Sequence, residues 1–303
     1  MLPLALLALG AGAATWAARA AYARGLRTEV GTRLRVGPSG MVPGAEPYTL
    51  TARADAPAVM LLHGFGDTPQ SMRYLGGALH AAGFTVHAPL LPGHGRTLDD
   101  YGRSGAEAWL AHARDELATL RARHAEVAVV GLSMGGAIAT VVAAETPDLK
   151  ALVLLAPYLS MPTRLRRVAR AHRLVELVLP WADGGGESSI RDPEEAARNL
   201  AYRVVAPHLL RELLGVVETA QRAIPRIAVP TLVLHSRTDH RVPVEAAERE
   251  WAKLRTPQRE LVWFEECGHL MTVDREHHAV SARVREFLAR HAGVADRSAA
   301  VTG

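Results

Sequence analysis

Cysteine is almost absent from the sequence: Cys267 is the only one among 303 residues. One thiol cannot form an intrachain disulfide, so nothing in the sequence demands an oxidising compartment. The sequence also lacks Cys and His clusters with zinc spacing, and it lacks a phosphate-binding glycine loop that ends in Lys-Ser or Lys-Thr. These absences exclude the common metal and nucleotide signatures, and we predict no cofactor and no metal.

A concentrated block of charge is missing as well. The formal net charge is +4, and it comes mainly from arginines that are dispersed along the chain. No nucleic-acid-binding module is recognisable, so we predict no nucleic-acid partner and attribute the basic balance to solubility or to a membrane surface. With 49% hydrophobic and 22% charged residues, the chain has the composition of one large domain or of one domain with an insertion.

No Lys or Arg precedes the uncharged apolar run over residues 2–18, which is unlike the basic start of a signal peptide. The run is near the lower limit of roughly 17 to 25 residues for a membrane span. Arginines follow it, and the positive-inside rule then places the rest of the chain in the cytoplasm. We predict a leader over 1–25 that acts as an uncleaved membrane anchor. A cleaved signal on a secreted protein and a soluble cytoplasmic protein are the alternatives.

One segment joins a predicted strand to a serine flanked by glycines. Residues 127–132 are apolar and rich in valine, Gly-Leu-Ser-Met-Gly occupies 131–135, and a run of small residues typical of a helix follows. This strand–turn–helix context is that of a nucleophile elbow, in which a tight, strained turn exposes the serine hydroxyl at the end of a sheet. The alternative is an ordinary glycine-rich turn. We predict that Ser133 is a nucleophile.

A nucleophile elbow requires donors for the negative charge that develops on the attacked carbonyl oxygen. One donor is the N–H of the residue after the nucleophile, and the other comes from the loop after an earlier strand. Residues 58–62 predict that strand, and His-Gly-Phe-Gly follows at 63–66. We therefore predict Met134 and Phe65 as the oxyanion-hole donors, with their backbone N–H groups.

Proteins with a nucleophile elbow carry an acid and then a histidine base after the serine in the sequence, and this chain has both in that order. The apolar stretch 231–235 precedes Asp239, and the predicted strand 260–264 precedes His269. A serine hydroxyl is a poor nucleophile near neutral pH, so a histidine must take its proton, while an aspartate orients the imidazole and stabilises its charged form. We predict Ser133, Asp239 and His269 as the catalytic triad.

Other histidines and acids compete for these roles: His63, His94 and His240 for the base, and Asp99 and Asp100 for the acid. None of the three histidines lies in the loop after the last predicted strand. The two acids precede the nucleophile in a polar loop, so we rank all five below the predicted triad.

The sequence resembles the bacterial monoacylglycerol lipases and short carboxylesterases of the α/β-hydrolase superfamily. The segments that carry the likeness are 63–73, 91–95, 131–136, 239–243 and 268–269. The resemblance implies an α/β-hydrolase fold, with a mostly parallel sheet, helices on both faces and an inserted helical cap. It implies the triad and oxyanion roles given above. The alternation of predicted strands and helices favours the same fold class.

The resemblance also divides the chain. It implies a core over 26–159 and 220–293, with a cap over 160–219 that roofs the acyl-binding site; we expect 294–303 to be a flexible tail. A helix is predicted over 165–179, and its arginine-rich face either rests on anionic lipid or is simply solvated. Glu176 on this helix is predicted to hydrogen-bond the alcohol part of a substrate.

We therefore expect a serine carboxylic-ester hydrolase that forms an acyl-enzyme and cleaves monoacylglycerols or similar medium- or long-chain esters. The predicted partner is a small-molecule ester or lipid, with membrane association through residues 2–18. A thioesterase, a lysophospholipase and a C–C bond hydrolase use the same triad and stay alternatives. A non-catalytic, membrane-anchored binding protein of the same fold is the alternative outside the enzymes.

Overall fold

The computed structural model describes residues 2–184 and 189–293, with side chains from residue 17 onward. The strands are β1 (Tyr48–Leu50), β2 (Ala58–Leu62), β3 (Thr85–Ala88), β4 (Val127–Leu132), β5 (Ala151–Leu155), β6 (Ala182–Asp183), β7 (Val204–Val205), β8 (Thr231–Ser236) and β9 (Arg259–Phe264). The helices are α1 (Leu2–Arg33), α2 (Arg73–Ala81), α3 (Leu98–Gly102), α4 (Ala106–Arg121), α5 (Met134–Glu145), α6 (Thr163–Arg170), α7 (His172–Glu176), α8 (Pro193–Arg198), α9 (Pro207–Ala223), α10 (Val244–Trp251) and α11 (His277–His291). Short 3-10 helices cover Pro69–Met72 and Ile224–Arg226.

Seven strands form the main sheet, in the order β1-β3-β2-β4-β5-β8-β9. Every neighbouring pair is parallel except β1 with β3, which is antiparallel at the edge. Strands β2, β4 and β5 are buried along their whole length. A parallel sheet covered on both faces needs such continuous apolar strands. The predicted mostly parallel sheet with helices on both faces is therefore confirmed.

The strand side chains form part of two apolar layers, one on each face of the sheet, because successive residues of a strand point to opposite faces. Met60 and Val129 belong to the layer that α4, α5 and α9 cover. Their neighbours Leu61 and Val130 belong to the other layer, under α2 and α11. The carboxyl ends of β2, β4, β8 and β9 consequently meet at one edge of a sheet that is fixed from both sides.

Two glycines allow α5 to start immediately against the sheet. A Cβ on Gly135 would lie 2.2 Å from the carbonyl oxygen of Leu62, and one on Gly131 would lie 2.2 Å from that of Gly135. These obstacles are backbone atoms, which cannot rotate away. Gly135 is thus required by the close approach of α5 to β2, and Gly131 by the tight turn from β4 into α5.

The segment between β5 and β8 differs in detail from the sequence prediction. The helix predicted over 165–179 is two short helices, α6 and α7, separated at Ala171, and the break allows both to pack on α9. Helix α8 begins after Asp192, whose carboxylate accepts hydrogen bonds from the N–H groups of Glu194 and Glu195. The boundary predicted between residues 219 and 220 falls inside α9, which packs on α5 of the core.

Helix α1 continues past the boundary predicted at residue 25 and ends at Arg33. Its last turn packs on the rest of the molecule through buried Val30, and Leu34, the first residue after the helix, is buried as well. In the described part of the chain, no helix is long and apolar enough to cross a membrane, so the predicted membrane anchor is not supported. The tail predicted at 294–303 lies outside the described residues.

Candidate active site

Ser133 occupies a strained turn between β4 and α5. Its backbone has φ 54° and ψ −116°, a positive φ that a residue with a side chain rarely adopts. Such strain costs of order 1–3 kcal/mol and persists only where the surroundings hold it. Here the Ser133 N–H donates to the carbonyl of Leu155 at 2.9 Å, and Tyr158 N–H donates to the Ser133 carbonyl at 3.0 Å.

The structure brings the three residues predicted as a triad into one hydrogen-bonded line. His269 Nε2 lies 2.7 Å from Ser133 Oγ, and His269 Nδ1 lies 2.7 Å from Asp239 Oδ2. All three side chains are buried. Because the carboxylate accepts a hydrogen bond from the Nδ1–H group, Nε2 of a neutral imidazole carries no proton and is free to accept the serine proton.

Asp239 is itself fixed by the loop that follows β8. Its Oδ1 accepts hydrogen bonds from the N–H groups of Arg241 at 2.7 Å and Val242 at 3.0 Å. Burial alone would raise the pKa of Asp239, but His269 and the Val242 N–H stabilise the carboxylate and hold its pKa below the usual value. The Asp239 carboxylate is therefore negatively charged at neutral pH, beside the His269 ring.

A second histidine, which the sequence analysis missed, lies behind this carboxylate. His235 Nε2 is 3.7 Å from Asp239 Oδ2 and donates to the Val242 carbonyl at 2.9 Å. Burial lowers the pKa of His235, so the ring is neutral near neutral pH. The sequence could have indicated this histidine, because it lies near the end of the strand that precedes Asp239.

Phe65 and Met134 flank the serine where oxyanion donors are needed. Met134 is the first residue of α5, so its N–H has no acceptor within the helix. Phe65 follows Gly64, where a Cβ would lie only 3.4 Å from Ser133 Cβ. The loop that carries the Phe65 N–H thus runs directly beside Ser133.

The histidines near this loop support it rather than compete with His269. His94 Nε2 accepts the N–H of Gly66 at 3.1 Å, and His63 Nε2 accepts that of Leu91 at 3.1 Å. Burial lowers the pKa of His94 to about 4 and that of His63 well below its usual range. Both rings are neutral, and both act as backbone acceptors.

The remaining competitors lie at the surface. Asp99 forms an ion pair with Arg27, and the Asp100 carboxylate accepts hydrogen bonds from Thr97 and Arg103 around α3. His240 is exposed. None of these three takes part in the hydrogen-bonded line through Ser133.

Glu176, predicted to bind the alcohol, contacts the start of α9. Its Oε1 accepts a hydrogen bond from the backbone N–H of His208 at 2.8 Å and forms a second hydrogen bond with Nδ1 of the His208 ring. The other ring nitrogen of His208 donates to the carbonyl of Gly102 at 2.9 Å. The structure thus gives Glu176 a partner inside the protein, and its role toward a substrate stays a prediction.

Asp67, in the loop after Phe65, is a buried acid that the sequence analysis did not single out. Neither of its carboxylate oxygens has a hydrogen-bond partner of good geometry among the described residues. Burial raises the pKa of Asp67 to about 6, although Ser71 lies close enough to lower it in part. Among the described residues, no group of three or more His, Cys, Asp or Glu is arranged to hold a metal ion.

A buried Ser–His–Asp line at the carboxyl edge of a mostly parallel, helix-covered sheet is the arrangement of serine hydrolases with the α/β-hydrolase fold. The comparisons with known proteins agree. The family model described as serine aminopeptidase, S33, matches residues 54–276, and the chain belongs to this family.

Named relatives and solved structures resemble the chain over most of its length. A thermostable monoacylglycerol lipase of Bacillus sp. (strain H-257) is 29% identical over 262 residues, which are 84% of this chain and 98% of the relative. A carboxylesterase of Bacillus subtilis (strain 168) is 28% identical over 244 residues, with 80% and 96% covered. A structure from work on LipS and LipT, two metagenome-derived lipolytic enzymes, superimposes with a TM-score of 0.74 and 29% identity, with 82% and 99% covered.

The predicted resemblance, the α/β-hydrolase fold and the class of enzyme, a serine ester hydrolase, are therefore confirmed. The roles of the individual site residues stay predictions.

Proposed function

We propose that the chain hydrolyses monoacylglycerols and similar medium- or long-chain carboxylic esters through an acyl-enzyme on Ser133. The observation that carries the proposal is the 2.7 Å contact between Ser133 Oγ and His269 Nε2, with the Asp239 carboxylate behind the ring. Such a contact lets the imidazole remove the hydroxyl proton as the oxygen attacks a carbonyl carbon.

In the acylation half, Ser133 Oγ forms a bond to the ester carbonyl carbon while His269 takes its proton. The negative charge on the former carbonyl oxygen is stabilised by the N–H groups of Phe65 and Met134. The tetrahedral intermediate then expels the alcohol, which takes the proton from His269. The acyl group remains on Ser133.

In the deacylation half, water enters the place of the alcohol. His269 removes a proton from this water as its oxygen attacks the acyl carbon, and the same two N–H groups stabilise the second oxyanion. Collapse of this intermediate breaks the bond to Ser133 Oγ, which regains the proton from His269. A carboxylic acid leaves, and the enzyme is restored.

The names of the relatives support a lipid ester as the substrate class, since one is a monoacylglycerol lipase and another a carboxylesterase. We propose that the segment 160–219 is the cap above the acyl-binding site, because it is inserted between the adjacent strands β5 and β8, next to the serine. Glu176 would bind the alcohol from this cap. Membrane association through residues 2–18 and a cytoplasmic location stay predictions.

The test is hydrolysis of a monoacylglycerol series of increasing acyl length by the full-length chain, with Ser133→Ala as the matched variant. We expect turnover that peaks at medium or long chains and falls by at least about 10⁴-fold in the variant. A thioester, a lysophospholipid and a substrate with a cleavable C–C bond, measured in parallel, test the three alternatives with the same triad, and an aminoacyl anilide tests the activity named in the family description.

Ser133-dependent turnover confined to short esters would contradict the lipid substrate and retain the ester hydrolase. A preference for the thioester or the anilide would contradict the ester. The absence of any Ser133-dependent turnover, together with no labelling of Ser133 by a fluorophosphonate, would overturn the catalytic proposal.

A further inference from the structure

The end of α1 contacts a distant segment that supports the oxyanion loop. Arg33 Nη2 donates hydrogen bonds to the carbonyls of Ala201 and Tyr202, each at 2.9 Å. Val30 and Leu34, on either side of Arg33 in the sequence, are buried and anchor this turn. Helix α1 precedes the residues that the family model matches, so the contact is an addition to the shared core.

A series of hydrogen-bonded peptide groups leads from Ala201 to the loop that contains Phe65. The peptide between Ala201 and Tyr202 accepts from Arg33 with its oxygen, and its N–H donates to the Gly66 carbonyl at 2.8 Å. The peptide between Gly66 and Asp67 then donates its N–H to the Gly64 carbonyl at 3.3 Å. That carbonyl belongs to the peptide whose N–H is the proposed oxyanion donor of Phe65.

Each peptide in this series accepts at its oxygen and donates at its nitrogen, so every bond polarises the next in the same sense. The guanidinium at the start carries a positive charge, and charge-assisted hydrogen bonds are roughly twice as strong as neutral ones. The series is therefore oriented to make the Phe65 N–H a better donor to a negative oxygen.

Residues 201–203, where the series begins, include a strained backbone that Arg33 helps to fix. Arg203, directly after Tyr202, has a φ of 58°, a strained value for a residue with a side chain. The Tyr202 ring stacks on Tyr101 with centroids 4.5 Å apart, and Tyr101 packs on Phe65. Fixing the two carbonyls beside the strained residue keeps the Tyr202 N–H aimed at Gly66.

We propose that Arg33 is a positioning residue for the oxyanion hole, which orients and polarises the Phe65 N–H through the peptides 201–202, 66–67 and 64–65. This inference rests on the proposed function, because it assigns a support to the oxyanion donor of that reaction. It gives the end of α1 a role in stabilising the transition state.

The test compares Arg33→Ala with Arg33→Lys and with the control Arg27→Ala, all in the full-length chain and normalised by active-site titration. Arg27 lies on the same helix, and it forms an exposed ion pair with Asp99. Loss of a whole oxyanion donor costs about 10²–10³ in kcat, so weakening one through the series should cost less, roughly fivefold. We expect kcat to fall about fivefold in Arg33→Ala with KM unchanged, and Arg33→Lys to recover most of it.

A trifluoromethyl ketone, which forms a tetrahedral oxyanion adduct with the serine, supplies the second readout. Its Ki should rise about fivefold in Arg33→Ala and stay unchanged in Arg27→Ala, which a merely structural role would not produce. An unchanged kcat and Ki in Arg33→Ala, or equal losses in both alanine variants, would overturn the inference. If Arg33→Ala does not fold, Arg33→Gln decides, because it removes the positive charge and keeps N–H donors. A lowered kcat and a raised Ki per titrated active site support the inference, and wild-type kcat and Ki overturn it.

The same measurements separate the two proposals. A wild type without Ser133-dependent ester turnover overturns the proposed function, and the inference with it. A wild type with such turnover and an Arg33→Ala variant without a change in kcat overturns the inference alone.

Discussion

The carboxyl edge of the sheet and helices α6, α7 and α8 of the segment between β5 and β8 are built in different ways. At the edge, Ser133, Asp239 and His269 are buried and tied to neighbouring backbone groups. Of the three helices, α6 buries one residue, and α7 and α8 bury none. A group can be held to a fraction of an ångström only where its surroundings are packed. Substitutions are therefore expected to have large effects at the edge and small effects in α6, α7 and α8.

The largest effect should follow from changing the charge at the edge without changing its shape. Asp239→Asn keeps the volume but removes the carboxylate that orients His269, so kcat should fall by about 10⁴-fold with little loss of stability. Steady-state hydrolysis of a soluble ester measures this. The control, Asp99→Asn, alters an exposed acid and should change kcat less than twofold. A loss below tenfold in Asp239→Asn would contradict the assigned acid.

The close approach of α5 to β2 should be the next most sensitive feature. In Gly135→Ala the new methyl group would lie 2.2 Å from the Leu62 carbonyl oxygen, so backbone must move, and we expect a loss of more than about 3 kcal/mol in the free energy of unfolding. Urea denaturation measures it.

Gly77→Ala is the matched control in α2, because a Cβ there meets nothing within 4 Å. It should stabilise the protein by about 0.5–1 kcal/mol, since alanine is the better helix former. Equal effects of the two substitutions would show that proximity to β2 is not what requires Gly135.

The sequence predicted the meeting of the Ser133, Asp239 and His269 side chains at the edge because each of them lies at or shortly after the end of a strand. Ser133 and His269 follow β4 and β9, and Asp239 follows β8, so strand order alone brings them to one edge. Contacts between distant segments could not be predicted in this way. The bond from Arg33 to Ala201 joins residues 168 positions apart, and the break at Ala171 depends on how α6 and α7 pack on α9.

The burial of Asp67 beside the edge predicts a pH dependence of stability. Its pKa is raised from 3.8 to about 6, so the folded state binds a proton more tightly than the unfolded state. The stabilisation is complete below about pH 4 and is lost as the pH rises through about 6. The lost free energy is at most about 3 kcal/mol. Asp67→Asn should therefore raise the melting temperature at pH 8 and change it little at pH 4.

Thermal unfolding of wild type and Asp67→Asn across this pH range tests the sign. Asp115→Asn, which changes an exposed acid on α4, is the control and should leave the pH dependence as in the wild type. A variant that is destabilised at pH 8 would mean that the ionised carboxylate of Asp67 stabilises the fold, opposite to the effect expected from its burial.

The smallest effect is expected just after α7, where an exposed leucine can be compared with a buried leucine of α9. Leu177 on the chain after α7 is 74% exposed, whereas Leu213 of α9 is 5% exposed. Leu177→Ser should change the free energy of unfolding by less than about 0.5 kcal/mol, because a solvated side chain loses little. Leu213→Ser should cost about 3 kcal/mol or more, because it leaves a cavity and buries a hydroxyl. Paired urea denaturation measures both, and similar losses would mean that Leu177 is packed as tightly in solution as the core.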